Sequence, residues 1–161
     1  MSRTEESSRE QALRAHLLSL LRSGAAHADF ESTIAGITLT EANTRLASLP
    51  YTFWQVLEHM RIAQWDILEF SRNPKHESPS FPSGYWPKED VTDEHGWSET
   101  IVGFQRDLKA LEELIADPGS DLFRSFPHGE GQTLLRETLL LADHNAYHLG
   151  ALMVMKRLLK S

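Results

Sequence analysis

The chain has 161 residues, enough for one domain with a real core, with 40% hydrophobic residues and a formal net charge of −7. That charge, with no cluster of Lys and Arg, argues against a general nucleic-acid binder. The absence of cysteine excludes disulfides, thiolate nucleophiles and cysteine-ligated zinc, so a bound metal must use nitrogen and oxygen ligands, which suits Zn, Ni, Fe or Mn. The segment Met1–Glu10 is polar and lacks the apolar stretch of a signal peptide. No run approaches the ~18 apolar residues of a membrane span, so a cytoplasmic protein with no membrane partner is expected.

The first predicted helix runs from about Arg9 to about Gly36. Leu13, Leu17, Leu20, Leu21, Phe30 and Ile34 follow helical spacing, with Gly24 as a weak point. Residues 1–8 before it read as a flexible tail. The linker 37–50 is mixed in composition, and Leu49-Pro50 marks a boundary. Thr52 reads as the N-cap of a second helix, about Phe53 to Ser71. Trp54, Leu57, Ile62, Trp65, Leu68 and Phe70 make most of its surface apolar, which predicts heavy burial. Residues 72–96 carry Pro74, Pro79, Pro82 and Pro87 and form a long loop. Its aromatics Phe81, Tyr85 and Trp86 argue that it packs back over the bundle, as a lid or as a cover for one end of the core. The third helix starts near Trp97 or Ser98 and stops near Asp117, before Pro118-Gly119. Its stripe is Ile101, Phe104, Leu108, Leu111, Leu114 and Ile115. An irregular stretch, 119–132, follows. Thr133 opens the fourth helix, which runs to about Leu159, and Lys156, Arg157 and Lys160 complement its dipole. Strand alternation and internal repeats are absent from the pattern. The expected fold is all-α: one domain over 1–161, a four-helix bundle with long connections between helices 1 and 2, 2 and 3, and 3 and 4.

Two histidines stand out on the fourth helix. His144 and His148, within Leu140-Leu141-Ala142-Asp143-His144-Asn145-Ala146-Tyr147-His148-Leu149-Gly150, lie one turn apart on one face. Imidazole is costly to bury unsatisfied. Two of them on an apolar helix imply either a shared metal ion or separate carbonyl or carboxylate partners in a core. The pair is not a zincin motif, because Asn145 stands where that motif has its glutamate. His59 on the second helix is a third candidate. Three imidazoles from two helices would leave coordination positions open to water or substrate.

Trp54-Gln55-Val56-Leu57-Glu58-His59, then Ile62-Ala63-Gln64-Trp65-Asp66, and later His144-Asn145-Ala146-Tyr147-His148-Leu149-Gly150 resemble the DinB/YfiT-like superfamily of metal-dependent proteins. The match in element order covers nearly the whole chain. The resemblance implies a four-helix bundle with one His on the second helix and a His-x3-His pair on the fourth, making His59, His144 and His148 the metal ligands. The ion is expected to be divalent, Zn or Ni ahead of Fe or Mn. The resemblance also implies action on a small molecule. Activities characterised in the superfamily are mainly thiol-dependent, such as transfer of bacillithiol to electrophiles and isomerisation of maleylpyruvate with mycothiol. A low-molecular-weight-thiol-dependent transferase is therefore the leading expectation. Metal-assisted hydrolysis of a small substrate and a non-catalytic metal- or ligand-binding bundle are the alternatives. Relatives often pair, so a homodimer is expected.

Around the three histidines, Asp66 returns to nearly the face of His59. It reads either as an acceptor for an imidazole N–H or as half of a buried ion pair. Glu58 points about 100° from His59 and reads as a surface or helix-pairing carboxylate. Asp143 is expected to face another helix or solvent. Tyr147 reads as a substrate contact or a core aromatic, and Trp86 as a pocket residue on the loop. His27 lies near the stripe of the first helix and is expected to be a core or pocket-lining histidine, with an extra metal ligand as the alternative. His16, His76, His95 and His128 are expected in solvent or loops.

Overall fold

Capping signals in the sequence set the helix boundaries. In the computed structural model, which describes residues 3–22, 26–47 and 49–161, the helices are α1 (Arg3–Leu21), α2 (Phe30–Ile34), α3 (Leu39–Asn43), α4 (Phe53–Arg72), α5 (Glu94–Ala116) and α6 (Leu134–Leu159). Thr52 opens α4 with a reciprocal capping box to Gln55, and Thr133 caps α6 through the Arg136 amide. Among the described residues there are no strands, and Ser125 and Thr133 form an isolated bridge.

α1, α4, α5 and α6 are the four long helices of the bundle. α4 packs against both α5 and α6, and α1 against α5 and α6. One apolar cluster gathers Phe53, Leu57, Met60, Trp97, Phe104 and Leu152. The other gathers Leu17, Leu68, Leu111, Ile115, Leu122 and Leu141. A polar contact joins α4, α5 and α6 between them. The fully buried Gln64 donates to the Phe104 carbonyl at 2.6 Å and accepts from Asn145 at 3.2 Å. A buried amide needs such partners, which fixes the relative height of the helices carrying His59 and His144. Arg14 ties α1 to the end of α5. Its guanidinium donates to the backbone carbonyls of Ile115, in the last turn of α5 where carbonyls lack helical partners, and of Asp117 and Ser120 just beyond it.

The first predicted helix is too long. α1 ends at Leu21, and Phe30 and Ile34 belong to the separate α2. Asp29 starts that helix by accepting from the Ser32 amide at 2.8 Å. Gly36, at a φ of 73°, turns the chain out of it. The expected weak point Gly24 lies outside the described residues. α3 sits inside the expected linker, opened by a Thr38/Glu41 capping box. The expected tail is helical from Arg3 onward, since α1 starts there, and α5 starts at Glu94, before Trp97, because Asp93 accepts from the Gly96 amide. Among the described residues, no helix is long and apolar enough to cross a membrane.

Candidate metal centre

His59 lies in the middle of α4, and His144 and His148 lie one turn apart on α6. The packing of α4 on α6 brings all three together. The Nε2 atoms of His59 and His144 are 3.1 Å apart. One candidate ligand atom from each of the three residues lies within 4.8 Å of the other two. Among the described residues this is the one cluster of three or more side chains suited to holding a metal ion.

The surrounding loop fixes the orientation of His59. Its Nδ1 is 2.9 Å from the Tyr85 carbonyl oxygen, which can only accept. Nδ1 therefore carries the proton, and Nε2 turns its lone pair toward α6. The ring also lies flat on Trp86, with centroids 4.0 Å apart, and Tyr51 stacks on the far face of Trp86 at 3.7 Å. The loop is held in turn by Asp66 of α4. One Asp66 oxygen accepts from the Tyr85 hydroxyl at 2.7 Å, and the other pairs with His76 Nε2 at 2.7 Å. Burial, reinforced by Asp66, pushes the Tyr85 hydroxyl up to about 12, so it stays a donor at neutral pH. Gly84 permits the tight turn: a Cβ there would come within 2.9 Å of the Pro79 side chain.

Burial, then the neighbouring His59, pushes His144 down to about 4, and burial with the two other imidazoles pushes His148 to about 4. Burial also lowers His59, opposed by its bond to Tyr85. All three are neutral at pH 7, the form whose lone pair can bind a metal. Two nitrogens held tetrahedrally at ~2.0–2.1 Å from zinc stand about 3.3 Å apart, so the closest pair already has a ligand spacing. Without a cation, His144 must donate its Nε2–H to His59, and its own Nδ1 is buried without a hydrogen-bond partner. A divalent ion would use both facing lone pairs instead, and the donor set fits Zn, Ni, Fe or Mn.

The three imidazoles line a cavity of about 670 Å³, open to solvent, together with Trp86, Tyr85 and Phe81 of the loop. Tyr147, Leu140 and Asp143 of α6 complete the rim. A family model described as the DinB superfamily matches residues 24–152. The chain belongs to the DinB superfamily. No curated protein and no solved structure gives a match to it. The all-α bundle agrees with what the resemblance implies for this superfamily, and the three histidines form a cluster that could hold a metal ion.

Other expectations fare differently. His27 is exposed, bonds the neighbouring Ala28 carbonyl at 2.9 Å and does not line the cavity. It was expected in the core because α1 was expected to continue past it. Asp66 does not touch an imidazole of the cluster but takes the buried-pair role, with His76 as partner. His76 lies in the loop, as expected, but is buried there, its side chain 6% exposed. His128 bonds the Phe70 carbonyl at 2.8 Å and packs on Phe70 and Phe126, while His16 and His95 are exposed as expected. Glu58 pairs with Arg61 and accepts from Thr100 of α5, a helix-pairing carboxylate. Tyr147 is exposed on the rim, edge-on to His148. The sequence reading placed Tyr85 and His76 in the loop without a role at the site, and did not single out Tyr51. The signal for Tyr85 was present in the aromatic loop, but the carbonyl that matters belongs to its backbone and leaves no mark in the side-chain pattern.

Proposed function

We propose that the chain is a divalent-metal-dependent enzyme acting on a small molecule, with His59, His144 and His148 holding the ion and thiol transfer to an electrophile as the reaction. The observation that carries this reading is the convergence of three neutral imidazoles on the wall of an open cavity, one of them oriented by a loop carbonyl. A bound cation supplies a Lewis acid that lowers the pKa of a thiol or water. The chain's own residues do the rest. Tyr85 and Trp86 hold the His59 ring, and the Phe81–Trp86 loop lines the cavity beside it. In the transfer, the thiol S–H loses its proton to solvent, a sulfur–carbon bond forms, and the leaving group departs with its electron pair.

Hydrolysis ranks second for a structural reason. It needs a base inside the cavity, and Asp66 has both oxygens engaged, while Asp143 stands exposed on the rim. A chain without cysteine also suits a cosubstrate that brings its own thiol, in a reducing cytoplasm. Pairing into a homodimer belongs to the same reading, supported by the exposed Leu139, Val154 and Leu158 of α6. Sedimentation tests it, and a mass of one chain contradicts it.

The test of activity uses zinc-loaded protein, 2-mercaptoethanol and 1-chloro-2,4-dinitrobenzene, followed by chloride release. The expected result is thiol-dependent turnover that disappears in the His59→Ala/His144→Ala/His148→Ala variant. Turnover of p-nitrophenyl acetate without thiol would favour hydrolysis. Metal binding with turnover of neither substrate would favour a non-catalytic metal-binding bundle.

A further inference from the structure

The cavity beside the three histidines has an unusual charge pattern: no Lys or Arg lines it. Its two carboxylates differ in kind. Asp66 is saturated by Tyr85 and His76, and Asp143 faces solvent at the mouth. The chain as a whole carries a formal charge of −7, which adds a field of the same sign. Apart from the ion that the three imidazoles would hold, an anion entering here finds no cationic side chain to bind it and meets the exposed Asp143 carboxylate. By contrast, the separate groove between α4 and α5 does contain arginines, Arg61 and Arg106, but they already pair with Glu58 and Asp107.

The mouth is apolar where it is most exposed. Phe81 on the loop is 88% exposed and Tyr147 on α6 is 74% exposed, and both line this same cavity. Large aromatic surfaces left in water at a cavity of about 670 Å³ are the surfaces an apolar ligand covers. We propose that this cavity takes an uncharged substrate with an aromatic or bulky apolar body, seated against Phe81 and Tyr147, and that Asp143 disfavours anionic ones. The inference rests on the reading of this cavity as the substrate site. It narrows the substrate class to neutral apolar electrophiles over polycarboxylates.

The test uses two fluorescent probes that differ by one anionic group, N-phenyl-1-naphthylamine and 1-anilinonaphthalene-8-sulfonate, titrated into the full chain. The uncharged probe is expected to bind at least about threefold more tightly, the penalty that a solvent-exposed carboxylate imposes on an anion. Phe81→Ala and Tyr147→Ala should each weaken it. Asp143→Lys should narrow the preference by about threefold, the size expected of a partly exposed charge. Equal or tighter binding of the sulfonate would overturn the proposal. So would a preference that Asp143→Lys leaves unchanged, or binding that ignores both aromatic substitutions. A mouth closed by a second copy of the chain would give a dimer and no probe binding, which also overturns it. Probe binding needs no metal, so metal content measured on the same samples separates the two ideas. Absent metal with the predicted probe preference would sink the metal-dependent function and leave the pocket assignment standing.

Discussion

The imidazole of His59 lies face to face with the indole of Trp86, centroids 4.0 Å apart and planes 2° apart. The same loop thus supplies both the flat surface that sets the ring plane and, through the Tyr85 carbonyl, the acceptor that sets its tautomer. Trp86→Ala removes the surface and leaves the carbonyl. Metal affinity should fall about tenfold, the lower end of the range for residues that orient a ligand. Competition with a chelator reads the affinity, and circular dichroism should show unchanged helix content. Full affinity in the variant would mean that the Trp86 indole does not position His59.

Tyr85 joins the loop to α4 through its hydroxyl on Asp66. Tyr85→Phe keeps the ring and leaves one oxygen of a buried carboxylate unpartnered. Stability should drop by about 1–3 kcal/mol, the cost of an unsatisfied buried acceptor. Denaturant titration measures this, and limited proteolysis should show earlier cutting within 73–93. A variant as stable and as resistant as the parent would contradict the role given to this bond.

Arg14 is buried and donates to three backbone carbonyls around the end of α5. Arg14→Met keeps much of the apolar stem and deletes the donors. The expected loss is about 1–3 kcal/mol, because the buried Ile115 carbonyl loses its donor while the Asp117 carbonyl keeps the Ser120 amide. A change in the denaturation midpoint too small to resolve would show that water replaces the guanidinium without cost.

Glu41 of α3 meets Lys160 at the end of α6, with the closest contact at 2.7 Å. The Lys160 ammonium and then the Thr38 amide hold its carboxyl down at about 2, against 4.5 for the free group. A lowered carboxylate pKa means the unfolded chain takes up its proton first as pH falls. The contribution is complete above pH 4.5 and disappears as pH drops toward 2. Stability of the parent should therefore decline more between those values than that of Glu41→Gln, and the difference should shrink in high salt because the pair is exposed. Parallel curves for the two proteins would refute this.

The later three long helices were readable because they rest on periodicity. His144 and His148 share a face of one helix by their spacing, but that His59 joins them came from the family resemblance and not from periodicity. The errors came where capping outweighed periodicity. Asp29, an N-cap three residues before Ser32, separates Phe30 and Ile34 from α1, and the Thr38/Glu41 box starts a helix in what looked like linker. Both signals were in the sequence but short. The Asp66–His76 and Asp66–Tyr85 bonds were not readable at all. They depend on the path of a proline-rich loop, and hydrophobic spacing carries no information about that path.

Metal content tests the central claim most directly. The protein, purified without a histidine tag, is measured beside the His59→Ala/His144→Ala/His148→Ala variant. The account predicts about one equivalent of a divalent ion per chain in the parent, as for a single three-histidine site. The variant should lose it and keep the helical spectrum. Equal metal in both proteins, or none in the parent after incubation with Zn or Ni, would contradict it and leave the three residues as core histidines.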